Sequence, residues 1–125
     1  MTQVHAQKLM TNDVPAPVTS AFTKANPAIL NAEWSKAGNN FAAQFTANDL
    51  ATTATYDAAG VLLNTLEVVT VAELPATATE YVKKNYKVED VEKVSRIIDA
   101  DNVVTYKVKI KGIDLNFDSK GNVVK

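Results

Sequence analysis

Residues 14–18, VPAPV, return 60 positions later as residues 74–78, LPATA, and these matching stretches decide the fold. Each contains a proline, Pro15 or Pro75, followed by apolar residues at helical spacing. Proline suits the first turn of a helix, because the N–H that it lacks would have no partner there. The sequence therefore predicts two helices, each opening one copy of a repeated unit.

A second pair of matching stretches closes each unit: residues 56–61, YDAAGV, and residues 117–122, FDSKGN. An aromatic residue, then Asp-x-x-Gly, then apolar residues is typical of a hairpin turn, since Asp accepts bonds from nearby backbone and Gly adopts the left-handed conformation. A calcium loop would need several oxygen ligands at alternate positions, and each stretch offers one carboxylate, Asp57 or Asp118. Turn chemistry is the better interpretation.

Between these anchors the residues alternate in the manner of strands. Residues 104–110, VTYKVKI, alternate apolar and polar side chains, as do residues 30–35 and 41–46. A period of two predicts antiparallel strands with one buried face and one solvent-facing face. Trp34 lies in the inward phase and is predicted to be core. A fourth strand is predicted at residues 62–70, and its counterpart at residues 122–125.

The predicted fold class is α+β, a tandem repeat of a helix plus a four-stranded antiparallel meander. We expect the two sheets to join into one continuous sheet with the helices on one face, because joining removes exposed edges. The predicted domains are an N-terminal tail at residues 1–13, a first repeat at 14–70 and a second at 71–125.

The start of the tail allows two interpretations. Residues 4–6, Val-His-Ala, match the small-residue end of a signal peptide, with Gln7 as the mature start. The alternative is a disordered polar start, since the apolar core of a signal peptide is missing.

Composition excludes several functions. The 125 residues include 13 basic and 14 acidic side chains, a net charge of −1 without the basic stripe that nucleic acid requires. No apolar run approaches the ~18 residues of a membrane span. There is no cysteine, and the one histidine, His5, lies in the predicted tail. We therefore predict no enzyme activity, no cofactor and no metal site.

Short motifs lie between residues 14 and 75, within a resemblance that covers nearly the whole chain from residue 14 to residue 124: VP at 14–15, AF at 21–22, Pro27, EW at 33–34, FAAQF at 41–45, YDAAG at 56–60 and ELP at 73–75. Together they resemble the PepSY-like proteins, also called putative beta-lactamase-inhibitor-like proteins, small exported proteins of the Bacteroidota. The resemblance implies tandem helix-plus-four-strand units, a shared sheet with a concave face and a periplasmic or surface location. It implies no general biochemical activity, and inhibition of a beta-lactamase does not follow from the family's name. Residues 50–55 are richer in small residues than the family pattern.

The solvent-facing sides of the strands are the predicted binding surface. Alternate lysines on one strand are also explained by solvation or by protection of a sheet edge. The predicted site residues are Gln44, Thr46, Thr53 and Thr55 in the first copy and Lys107, Lys109 and Lys111 in the second.

The leading hypothesis is a non-enzymatic, periplasmic or secreted binding or inhibitor-like module that uses its helix-free sheet face to bind a protein or peptide. The alternative is a structural or self-associating envelope protein that pairs through strand edges, notably residues 122–125. A small-ligand carrier, a third option, would require a cavity between helix and sheet. The sequence leaves the oligomeric state open.

Overall fold

The computed structural model describes residues 7–124, and for Gln7, Lys8 and Thr11 it describes the backbone alone. The protein is α+β, with two α-helices and antiparallel strands that follow chain order in the sheet. The chain divides into two compact units, the first ending at Thr65 and the second beginning at Leu66. This division lies inside a strand, whereas the repeat predicts a boundary between residues 70 and 71.

The first unit is a helix with an antiparallel meander. Residues 7–13, predicted as part of a tail, contain a strand whose Leu9 pairs with Trp34 and packs against the core. The signal-peptide end predicted at residues 4–6 lies outside the described residues. In chain order the elements are β1 (Gln7–Leu9), a 3₁₀ turn (Thr11–Asp13), α1 (Ala16–Ala25), β2 (Glu33–Ala37), β3 (Asn40–Ala47), β4 (Leu50–Tyr56) and the start of β5 (Leu62–Val69).

The second unit takes the rest of β5 and then has one helix between two 3₁₀ turns, followed by four strands. Its last strand is shorter than the predicted strand at residues 122–125, and Lys125 lies outside the described residues. In chain order the elements are a 3₁₀ turn (Val71–Glu73), α2 (Ala76–Asn85), a 3₁₀ turn (Val88–Asp90), β6 (Val91–Asp99), β7 (Val104–Ile110), β8 (Ile113–Phe117) and β9 (Val123–Val124).

Both predicted helices are present, and each begins directly after the repeated proline, which was predicted to lie within the first helical turn. Pro15 has φ −55° and ψ 143°, and Pro75 has φ −57° and ψ 148°, so each residue is extended. A ten-residue helix follows each of them. The proline ring fixes φ, which favours the chain direction needed to start a helix. No side chain caps either helix start. The helices bury Val18 and Phe22 in the first unit, and Ala78 and Val82 in the second.

The core of the first unit lies between α1 and one face of the meander. Trp34 is 5% exposed, as predicted, and its ring centroid lies 5.4 Å from that of Phe22 in an edge-to-face contact. The ring centroids of Phe45 and Phe22 lie 5.1 Å apart, and those of Tyr56 and Trp34 lie 6.3 Å apart. Such aromatic pairs add to the free energy of burying their large surfaces.

One residue of the predicted first strand lies elsewhere. Strand β2 begins at Glu33, and Leu30, predicted to face inward, lies before it and is 87% exposed. Pro27 follows the helix, and the Ile29 N–H donates to the Asn26 carbonyl in a turn. The chain leaving α1 is therefore occupied by this turn where the alternation predicted a strand.

The core of the second unit is built from aliphatic side chains around one phenylalanine. Val82 of α2, Val108 and Ile110 of β7, and Phe117 of β8 are all fully buried. Tyr81 of α2 packs edge-to-face on Phe117, with 5.7 Å between ring centroids. Helix and strands in this unit thus bury their apolar faces against each other.

The two Asp-x-x-Gly stretches form the predicted turns. The Asp57 carboxylate accepts the N–H groups of Ala59 and Val61 at 2.9 and 3.0 Å. The Asp118 carboxylate likewise accepts those of Lys120 and Asn122, each at 2.9 Å. Each carboxylate thus holds the backbone of its own turn by accepting hydrogen bonds, as the turn interpretation predicts.

The glycines of these turns touch the helix starts. Gly60 has φ +90°, and a Cβ added to it would lie 2.5 Å from the Pro17 carbonyl oxygen. Gly121 has φ +93°, and its Cβ would lie 2.7 Å from the Ala78 backbone nitrogen. In each unit the hairpin turn therefore packs directly on the first turn of the helix, which only glycine permits.

Candidate functional site

The helix-free face of the first unit carries the four site residues predicted there. Ala43 of β3 pairs with Trp34 and with Ala54, all buried, so the alternate residues of β3 and β4 point to the opposite side. Gln44, Thr46, Thr53 and Thr55 all occupy these alternate positions.

The register arranges this face in rows across the strands. Gln44 stands between Glu33 on β2 and Thr53 on β4. The next row is Ser35, Ala42 and Thr55. Gln44 and Thr46 are exposed, and Thr53 and Thr55 are half-buried. Hydroxyl and amide groups both donate and accept hydrogen bonds, so these side chains are suited to polar recognition.

The helix-free face of the second unit carries Lys107 and Lys109. Val108 between them is fully buried, so both lysines point away from the core. Lys107 stands between Ser95 and Asn116, and Lys109 between Lys93 and Asp114: two rows across β6, β7 and β8.

The placement of Lys111 on this face is wrong. Strand β7 ends at Ile110, and Lys111 and Gly112 form the two-residue turn to β8 with φ +51° and +79°. Two positive φ values are what a tight hairpin requires, so the alternation stops at the turn. The Lys111 ammonium lies 3.5 Å from the Asp90 carboxylate.

Sequence reasoning missed Lys93, which stands directly across from Lys109. The pairing of β6 shifts between Val91 and Lys93, so one residue, Glu92, is inserted there. Such an irregularity changes which residues share a face, and the alternation read from Val94 onward did not extend back to Lys93. The signal available was the spacing of Lys93 and Ser95, two positions apart.

A partly buried ion pair lies on the helix-facing side of the second unit. Arg96 shares the inward phase of β6 with Val94, and its Nε lies 2.7 Å from a Glu67 carboxylate oxygen. Nη1 lies 3.6 Å from Glu73. The hydrogen bond with Glu67 raises the pKa of Arg96, so the guanidinium is charged at any working pH. A charged residue in an apolar phase was the sequence signal for this cluster.

In the part of the chain from residue 7 to 124, no three His, Cys, Asp or Glu side chains gather as a metal would require. Across the same residues, no helix has the length and hydropathy to span a bilayer.

Two surface cavities lie beside the helices. One of about 130 Å³ borders Phe22 and Trp34 in the first unit, smaller than the ~300 Å³ typical of ligand pockets. The other, about 520 Å³, is lined by α2 and its two flanking 3₁₀ turns. No strand residue lines the larger cavity, so it does not have the position that a carrier between helix and sheet would need.

The fold, two helix-and-meander units without a metal cluster among the described residues, defines a class of small α+β proteins with open sheet faces. The model of the family described as putative beta-lactamase-inhibitor-like, PepSY-like matches residues 39–125. The chain belongs to this family.

Solved structures share the fold at low sequence identity. A putative periplasmic protein from Bacteroides eggerthii has a TM-score of 0.83 at 18% identity, over 90% of this chain and 86% of its own. A DUF2874 family protein from Bacteroides ovatus has 0.80 at 19%, over 90% and 85%. A BLIP-like protein from Bacteroides fragilis has 0.77 at 18%, over 89% and 84%. Among curated proteins nothing matches the chain.

Proposed function

We propose that this chain is a non-enzymatic, exported, inhibitor-like binding module that holds a protein or peptide on its helix-free sheet faces. One observation carries the proposal: in each unit most side chains opposite the core are polar, and they stand in register rows with a few apolar residues such as Ala42 and Ile97. Rows of this kind present several hydrogen-bonding groups on a rigid support, which limits the ordering cost of binding.

The comparisons support this role without naming a partner. The family is described as beta-lactamase-inhibitor-like, and one structure of the same fold is described as BLIP-like. Another structure of the fold is described as a putative periplasmic protein, which supports export of this chain. An exported inhibitor-like protein acts by contact with a macromolecule, for which an open sheet face is suited.

The tandem repeat is part of the proposal. Both units contain a proline-started helix of ten residues and an Asp-x-x-Gly turn packed on that helix. These common features support descent of the two units from one. The polar faces, which differ between the units, then divide the recognition between a hydroxyl-rich and a basic surface.

Photocrosslinking tests the binding role. A photoreactive amino acid at Gln44, Thr53 or Lys109 is expected to yield adducts with another protein in the cell envelope of the native host. The same amino acid at Thr23 or Lys84, exposed on the helices, serves as the control. Equal adducts from helix positions, or none from the faces, would contradict the proposed role.

Self-association through strand edges is the competing role. It is favoured by Ile113 on β8 and Val124 on β9, which are 45% and 48% exposed. Light scattering over a range of concentrations separates the two roles, because a protein that stays monomeric at high concentration does not assemble through its edges.

A further inference from the structure

A cluster of lysines marks the helix-free face of the second unit. Lys93 on β6 is paired with Lys109 on β7, and Lys107 lies two residues before Lys109 on the same side. Lys93 and Lys109 are exposed, and Lys107 is half-buried. We call these three residues the lysine cluster.

Protection of a sheet edge does not explain the lysine cluster. Lysines that prevent unwanted pairing belong on edge strands, where backbone groups are unpaired. Strand β7 is paired with β6 on one side and β8 on the other, and Lys107 and Lys109 have partners in both. The cluster therefore lies in the interior of a sheet.

The arrangement also carries an electrostatic cost. Like charges directly opposite each other on adjacent strands repel, as Lys93 and Lys109 do. The ion pairs found within residues 7–124 involve Arg96 and Lys111, not the cluster. On the paired positions of this face in β6, β7 and β8, the described carboxylate is Asp114 alone, one negative charge against three positive.

This positive charge is local. The chain as a whole has a net charge of −1. The corresponding row on the first unit's face holds Glu33, Gln44 and Thr53, with no basic side chain. Three lysines on one face, with one carboxylate to offset them, indicate that the partner bound by this face is negatively charged.

We infer that the lysine cluster docks an acidic segment of a protein, whose carboxylates pair with Lys93, Lys107 and Lys109. The inference rests on the proposed function and adds the chemistry of the partner. Asn116, exposed beside Lys107, supplies an amide group for the backbone of that segment. Lysine places a point charge on a flexible stem, which suits carboxylates spaced along an extended chain.

Two short synthetic peptides, one alternating glutamate with threonine and one alternating lysine with threonine, test the inference with the whole protein by fluorescence anisotropy. The glutamate peptide is expected to bind and the lysine peptide to fail. The triple variant Lys93→Gln, Lys107→Gln, Lys109→Gln is expected to weaken binding about tenfold, as loss of three charge contacts at the protein surface implies.

A matched control has the same change of charge in the same unit. Lys84→Gln, Lys87→Gln, Lys120→Gln alters exposed lysines outside the sheet face and is expected to leave affinity within about twofold. Circular dichroism of both triple variants verifies that each is folded. If both triple variants lose the same affinity for the glutamate peptide, the loss comes from the change in overall charge, and the inference is overturned.

Other outcomes overturn it as well. Equal binding of the lysine peptide, or no binding of either peptide, rejects an acidic protein segment. Tighter binding to anionic vesicles or duplex DNA than to the glutamate peptide assigns the cluster to another class of partner. Photocrosslinking from Gln44 and Thr53 distinguishes this failure from failure of the binding role, because those positions lie on the other unit's face.

Discussion

Gly60 and Gly121 are the residues at which sequence and tertiary structure are most tightly linked. Each has a positive φ, and each lies so close to the helix start that an added Cβ would be less than 3 Å from helix backbone. Either feature alone penalises another residue, and here they coincide.

Substitution of Gly60 by alanine is expected to lower the free energy of unfolding by about 3 kcal/mol, since it adds overlap with Pro17 to the cost of the left-handed backbone. The control is Gly38→Ala, at φ +63° with nothing within 4 Å of the added carbon, which is expected to cost about 1 kcal/mol. Urea unfolding measures both. Equal losses of unfolding free energy for Gly60→Ala and Gly38→Ala would show that the turn at Gly60 shifts to relieve the overlap with the helix.

Asp118 makes stability depend on pH. Hydrogen bonds from the backbone, that from Asn122 first, lower the pKa of its carboxyl group. A lowered folded pKa means that ionised Asp118 stabilises the protein above the unfolded pKa of about 4, and that this stabilisation is lost as the pH falls through the folded value.

The variant Asp118→Asn keeps an oxygen acceptor for the turn and is expected to lessen the loss of stability below about pH 4. Asp114→Asn has the same change of charge outside the turn and serves as the control. Thermal unfolding across the acid range measures the effect, and identical pH profiles for wild type and Asp118→Asn would contradict it.

At the scale of elements, α1 is held to its meander through Phe22. The ring contacts both Trp34 and Phe45. Phe22→Ala is expected to cost about 3–5 kcal/mol, by loss of buried surface and creation of a cavity. The fluorescence of Trp34, the one tryptophan, reports the unfolding.

Leu30→Ala provides the comparison for Phe22→Ala. Leu30 is close to the same helix in sequence and is exposed, so its truncation is expected to change stability by less than about 0.5 kcal/mol. A loss like that of Phe22→Ala would place Leu30 in the core, as its alternation with Trp34 predicts.

The ion pair of Arg96 and Glu67 links β6 to β5 within the second unit. Both side chains are mostly buried, at 24% and 21% exposure, so solvent screens the pair less than at the surface. A double-mutant cycle with Arg96→Gln and Glu67→Gln is expected to give a coupling of about 1 kcal/mol. A coupling near zero would mean that the pair has no net effect on folding.

Turn chemistry and periodicity predicted those elements whose signal is local. The helices that follow Pro15 and Pro75 and the turns at Asp57 and Asp118 depend on neighbouring residues, and all four elements are present in the structure. The pairing of Leu9 with Trp34 and the role of Lys93 depend on contacts or register shifts between distant residues. Alternation alone does not contain that information.

For the molecule as a whole, charge is nearly balanced, and the lysine cluster offers an acidic partner a local attraction. Affinity for the glutamate peptide is therefore expected to fall as salt shortens the Debye length from about 30 Å at 0.01 M to about 10 Å at 0.1 M. The triple variant Lys93→Gln, Lys107→Gln, Lys109→Gln should show a flatter salt dependence. Parallel salt curves would place the attraction elsewhere on the protein.

The hairpin turns differ in what they tolerate. Those at Gly60 and Gly121 rest on helix backbone and have no room for an added atom, whereas Gly38 and Gly112 have open space around them. A label or short tag inserted beside Gly38 or Gly112 should thus leave the helices in place. The protein offers one such insertion point in each unit, and a pair of dyes there would follow the two units separately.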